Sequence, residues 1–313
     1  MRTTDQGGTM ETHGQGCEGW QTATFGLSRR RMLFAGAMFL GTPGFAAAKP
    51  SSRVSREQSI ADIPFSKLNA PTQQKLRAVL ENYSIHRRLP TQTVPADPEL
   101  HLFLIRYPEV VVNMWELMGV TKVNIRRVGP YLSQAQDGAG TFSTVELAYG
   151  DRDTHVIYCK GYYEGTLVFK RIEGECVLVL KTSYRTADDG RVYITNRLDV
   201  FVAIHNAGAE LIARTLQPFI GKTADHNFIE STKFLGQISQ QAAINRSGMQ
   251  RLAGRLTRID SRIQHEFFRI AMAANDRARL RASDNAKKVQ QSRQPKTAIS
   301  IRDTRTAEPG RRN

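Results

Sequence analysis

The chain has 313 residues, 44 Lys and Arg against 29 Asp and Glu, and a net charge of +15. That length supports one substantial core or two small ones. Three cysteines without CxxC, CxxCH or zinc spacing exclude the usual thiolate metal and haem sites, and no cofactor is expected.

The first feature along the chain is Ser28-Arg29-Arg30-Arg31-Met32-Leu33-Phe34, followed by a weakly apolar run to Ala48. Adjacent arginines before such a run read as a twin-arginine export signal. The run is shorter than the ~20 residues that span a bilayer, and Pro43 and three glycines weaken it as an anchor. Ala46-Ala47-Ala48 offers the small residues of a cleavage site, so residues 1–48 are expected to leave as a signal peptide. An uncleaved apolar helix that tethers the protein is the alternative. The expected location is exported, periplasmic or cell envelope. Cleavage removes four arginines and three carboxylates and leaves about +14. Eleven basic and four acidic residues lie between Asp276 and Asn313, so much of the charge sits on the tail. Such a chain is drawn to anionic membrane or wall surfaces. Nucleic acid is not an expected partner of an exported protein.

Residues 49–66 are polar and read as a linker, and a domain is expected over 67–245. Pro71 to Tyr83 carries Leu76, Val79, Leu80 and Tyr83 at helical spacing, and Pro90 to Pro95 breaks it. Asp97-Pro98-Glu99 is a helix start, with an N-cap, a proline in the first turn and an acid near the positive dipole end. A second helix is expected from Pro108 to Met118, ended by Gly119.

The period then changes to two. Lys122–Gln136, Thr141–Tyr149, His155–Tyr163, Thr166–Arg171, Cys176–Arg185 and Arg191–His205 are six β-rich runs separated by turn sequences. Short loops predict antiparallel pairing. In the last run Val192, Ile194, Leu198, Val200, Val202 and Ile204 share one face, interrupted by Asn196. In this meander Cys159 and Cys176 fall on strands one apart, too distant to bridge, and two free thiols are expected.

After Asn206 the chain turns helical. Glu210–Leu216 is a first piece, and Thr223 or Asp225 can cap a second. From Met249 to Leu280, within a stretch 246–282, Leu252, Leu256, Ile259, Ile263, Phe267 and Ile270 make an apolar seam of one long helix. Arg251, Arg255, Arg258, Arg262 and Arg269 form a basic stripe beside it, a candidate contact with anionic lipid. The seam needs the sheet or a second copy to cover it, so a homo-oligomer through this helix is one expectation. Residues 283–313 read as a disordered basic tail.

Two passages carry a family resemblance: Pro108-Glu109-Val110-Val111-Val112-Asn113-Met114-Trp115, and Arg197-Leu198-Asp199-Val200-Phe201-Val202 running toward a helix. With the element order they resemble the START-like, or SRPBCC, helix-grip proteins over about Asp97 to Asn245. The resemblance implies an α+β fold in which a curved antiparallel six-strand sheet wraps a C-terminal helix over an apolar cavity. It also implies a lipid, polyketide or other hydrophobic small molecule as ligand. The strand that usually precedes the Trp helix is not visible, because His101–Ile105 looks helical.

In such a cavity Tyr149, His155, Tyr184 and Asn196 are candidates to fix a ligand's polar end, and Trp115 to stack on its body. Each also reads as an ordinary strand or core residue. Gly221-Lys222-Thr223 lacks the glycine that a phosphate loop needs five positions earlier, where Leu216 stands. His226 and Glu230, four apart beside Asp225, are short of the three ligands of a zinc site. No Gly-x-Ser-x-Gly elbow occurs, and Cys159 has no histidine at catalytic spacing. The expected function is an exported, non-catalytic carrier of a hydrophobic molecule. Alternatives are an envelope protein that holds anionic surfaces through its basic C-terminal helix and tail, and an enzyme such as a cyclase using the same cavity.

Overall fold

The computed structural model describes residues 52–165, 170–205, 208 and 219–293. The signal peptide, the Glu210–Leu216 helix and residues 294–313 of the tail lie outside the described residues. So does Thr166–Phe169 of the fourth β-rich run.

The helices are α1 (Arg53–Ala61), α2 (Ala70–Glu81), α3 (Pro98–Arg106), α4 (Pro108–Leu117), α5 (Ala224–Ile244), α6 (Arg246–Arg255) and α7 (Ser261–Arg293). The strands are β1 (Ile85–Arg88), β2 (Gln92–Pro95), β3 (Asn124–Gly129), β4 (Leu132–Gln136), β5 (Thr141–Gly150), β6 (Thr154–Tyr163), β7 (Ile172–Thr186) and β8 (Val192–Ile204). They form one antiparallel sheet in the order β1-β8-β7-β6-β5-β4-β3, with β2 also paired to β8. The molecule is α+β, a large open antiparallel sheet with C-terminal helices, consistent with the helix-grip expectation.

The sheet has eight strands rather than six. Gly129-Pro130-Tyr131 folds the first β-rich run into the β3–β4 hairpin, since Pro130 has no N–H for a ladder. The stretch after Tyr83, in which Pro90 to Pro95 is expected only to break a helix, supplies β1 and β2. These lie along β8, with Ile85 opposite Val202 and Val94 opposite Ile194. They provide the strand pairing that precedes the Trp helix. Glu173-Gly174-Glu175, expected as a turn, lies inside β7. Lys170 and Arg171 are outside any strand, so β6 and β7 are neighbours. Cys159 therefore sits directly opposite Cys176. The expected spacing of one strand between them is corrected, and the distance bar to a bridge goes with it. Both thiols are free in the structure.

Strands β6, β7 and β8 are buried on both faces over much of their length. On the outer face Val156, Val177, Val179 and Phe201 meet Leu76 and Val79 of α2. Asn69 caps α2 through the Thr72 N–H, which sets where this apolar stripe begins. The polar stretch read as a linker contains α1. An ionic cluster fastens that helix to the outer face. Arg88 holds both Asp199 oxygens at 2.9 and 3.1 Å, and its guanidinium also donates to the Ser55 carbonyl and to Gln58. Burial raises the Asp199 pKa, but His86 and Arg88 outweigh it and hold the carboxyl below its usual range.

On the inner face α3, α4, α5, α6 and α7 share one core built around Trp115, Phe234, Met249, Leu256 and Phe267. Asp97 caps α3 by accepting from the Leu100 N–H at 3.0 Å. Arg277 of α7 grips the same carboxylate at 2.7 and 2.7 Å, so one buried acid joins the chain's middle to its C-terminal helix. Gly119, at φ 68°, ends α4 in the left-handed region.

The expected single helix from Met249 is two helices. Asp260 accepts the Arg262 N–H at 2.8 Å and restarts the helix, while the Arg258 N–H donates to Asn113 Oδ1 at 3.3 Å. The break lets Leu256 and Phe267 both become fully buried in the inner core, with Leu252, Ile259, Ile263 and Ile270 packed on it. The seam is thus covered within one chain and needs no second copy. Helix α7 continues to Arg293, past the expected start of the disordered tail. Among the described residues no helix is long and apolar enough to cross a membrane.

Candidate functional site

A cavity of about 380 Å³ lies between the inner face of the sheet and the helices. Its helical wall is His101, Leu104 and Ile105 of α3, Val111 and Val112 of α4, and Phe228 and Leu235 of α5. Its sheet wall follows period-two positions: Ile157, Cys159 and Gly161 on β6; Cys176, Leu178 and Leu180 on β7; Asn196, Val200, Val202 and Ile204 on β8. The alternation that reads as an apolar face in the sequence is therefore the cavity lining. Gly161 fits here for a steric reason, because a Cβ would run into the Phe142 carbonyl of the neighbouring strand.

The cavity is elongated along the strands. On β7 it runs from Gly174 to Leu180, about 20 Å at the strand rise. Its outer end, at Phe142, Tyr162 and Gly174, adjoins a second, more polar cavity of about 950 Å³ whose lining includes Arg126, Gln134, Lys160 and His205. Its inner end is polar in another way. His101, 1 % exposed, places Nε2 3.2 Å from Asn196 Oδ1, which also accepts from the Thr182 hydroxyl at 3.0 Å. Burial pushes the His101 pKa down to about 4, against a smaller upward effect of Asn196, so the ring is neutral at pH 7.

Of the five expected ligand contacts, Asn196 lines the cavity. His155 lies on the same face of β6, fully buried, behind the inner end, where its cross-strand partner Leu180 forms the wall. Arg106 Nε lies 3.4 Å from His155 Nε2. Burial first, and the Arg106 charge second, push the His155 pKa to about 4. The other three positions are corrected. Tyr149 packs with the outer cluster, because a bulge between Leu147 and Tyr149 shifts its register, and its hydroxyl takes Lys67 at 3.0 Å. Tyr184 keeps the inner face but lies past the cavity's end, where its hydroxyl donates to the Arg152 carbonyl at 2.9 Å. Trp115 is a core residue against Phe234, with ring centroids 5.6 Å apart, and does not line the cavity.

His101 is the residue that the sequence reading missed. Its signal is the spacing His101, Leu104, Ile105, which puts an imidazole on the same helix face as the apolar lining.

Cys159 and Cys176 lie on the cavity wall. The Cys176 thiol and burial push the Cys159 pKa well up, which keeps it protonated and unreactive. Among the described residues no cluster of three His, Cys, Asp or Glu could hold a metal. Asp225 instead pairs with Arg87 at 3.0 Å, and Glu230 with Lys233 at 2.8 Å.

The basic stripe does not form a single row. Arg251 and Arg255 lie on α6, Arg258 in the turn, and Arg262 and Arg269 on α7. Arg258 pairs with Glu116 at 2.9 Å, Arg262 with Asp260 at 3.4 Å, and Arg269 with Glu266 at 2.5 Å. Local carboxylates thus neutralise three of the five.

No family model matches the chain, and no curated protein matches its sequence. Solved structures similar to it include Ara h 8.0201, at 13 % identity and TM-score 0.30, covering 48 % of this chain and 97 % of that one. Truncated norcoclaurine synthase from Thalictrum flavum has 10 % identity and TM-score 0.30, covering 47 % and 91 %. A second structure of that synthase has 13 % identity and TM-score 0.30, covering 48 % and 87 %.

Proposed function

We propose that this protein carries a hydrophobic small molecule or lipid in the cavity between sheet and helices, without transforming it. The observation that supports the reading is the cavity wall, whose exposed surface is mainly apolar, with aliphatic side chains of α3, α4, β6, β7, β8 and α5 predominant in it. Largely apolar pockets of this size, with a small number of placed polar groups, suit an apolar guest. Among the described residues the wall offers a neutral imidazole and the protonated Cys159 thiol rather than an activated nucleophile. The export signal read in residues 28–48 places this carrier in the periplasm or cell envelope as part of the same proposal. Anionic surfaces remain a weaker second reading, since Arg258, Arg262 and Arg269 already have carboxylate partners.

The test is fluorescence titration with Nile red, a neutral apolar dye, against the native protein and Val200→Trp, which fills the cavity from β8. Saturable uptake at one site is expected in the native protein, weakened at least tenfold in the variant, with unchanged circular dichroism. Equal uptake by both, or none by either, contradicts the proposal.

A further inference from the structure

Two buried imidazoles, His101 on the inner end of the cavity and His155 behind it, each have a nitrogen without a partner among the described residues. His101 Nε2 meets Asn196 Oδ1 at 3.2 Å. A carbonyl oxygen only accepts, so this ring nitrogen carries the proton and Nδ1 is a bare lone pair. That Nδ1 has no hydrogen-bond partner among the described residues. His155 has the opposite tautomer. The Arg106 guanidinium only donates, so His155 Nε2, 3.4 Å away, carries the lone pair and Nδ1 carries the proton. This Nδ1 is also without a partner among the described residues. Buried polar atoms are rarely left in this state, and a free acceptor on a residue that lines the cavity suits a group that donates a proton to it.

The carrier reading supplies the context, and the inference rests on it. His101 and Asn196 line the inner end of an apolar channel about 20 Å long. We infer that the cavity selects an apolar molecule ending in a hydroxyl group, whose O–H donates to His101 Nδ1. A carboxylate has no proton to give and would bring an unpaired charge to the neutral His101 ring. An ester accepts but cannot donate. An alkane does neither.

The experiment is displacement of Nile red at neutral pH by a saturated long-chain alcohol, and by the acid and methyl ester of the same chain length. The alcohol is expected to displace at concentrations roughly tenfold lower than either. In His101→Phe the ratio of alcohol to ester should fall to about one. Equal displacement by acid and alcohol in the native protein, or a preference that survives His101→Phe, overturns the inference while leaving the carrier reading intact. Failure of the dye to bind at all overturns both. Should His101→Phe not fold, nitrogen-15 spectra of histidine-labelled native protein decide. The unprotonated nitrogen of His101 is expected to move upfield when the alcohol is added. An unmoved resonance, as when water alone satisfies the ring, overturns the inference.

Discussion

Asp97 concentrates several demands in one side chain. It is 5 % exposed, caps α3 and takes a bidentate grip from Arg277, so removing it frees a helix N-terminus and leaves a half-buried guanidinium unpaired. Asp97→Ala should lower stability in urea unfolding by about 3 kcal/mol. A loss within experimental error would show that α7 is held by its apolar contacts alone. The two inner histidines give a pH signature. Their folded pKa values near 4 lie below the ordinary 6.5, so between those limits the unfolded chain binds protons that the folded chain refuses. Stability should therefore fall as pH drops from about 6.5 to 4, by up to about 1.4 kcal/mol per pH unit for each ring. Urea midpoints across that range check it. His155→Phe should flatten the slope, and an unchanged slope would place the acid sensitivity elsewhere.

At the scale of elements, the register of β6 on β7 decides the state of the cysteines. Facing positions and burial hold Cys159 protonated, so in the native protein it should resist iodoacetamide at about pH 8, while both thiols react promptly in urea. Mass spectrometry of the alkylated protein counts them, and rapid native modification would contradict this packing. The same elements show what a sequence discloses. The period-two runs of β5 to β8 are long enough for alternation to be seen, and Asp97-Pro98 announces α3 because cap and proline act locally. Strands β1 and β2 have four residues each, too few to show a period, and one of them ends in Pro95. They form only because β8 offers an edge, a tertiary cause. The break at Asp260 is hidden for a related reason. The apolar seam runs straight across it, and only packing against α4 reveals that the helix must restart. Asn196 could be picked out as a polar interruption in an apolar face. His101 could not be chosen without knowing which face of α3 meets the cavity.

For the whole molecule, the defining arrangement is a sheet with a solid outer layer and a hollow inner one. Helix α2 fills the outer face, where Leu76 and Val79 are fully buried. Leu76→Ala should cost about 3 kcal/mol in urea unfolding by opening a cavity in that layer, whereas Val200→Ala on the inner face should cost less, because space is already present there. Equal costs would mean that the inner face is as tightly filled as the outer. Native mass spectrometry of the protein isolated from its native host addresses the central claim most directly. The account predicts a one-to-one adduct with an apolar, organic-extractable molecule that is lost on unfolding. A bare polypeptide mass, unchanged after incubation with long-chain alcohols, would contradict it.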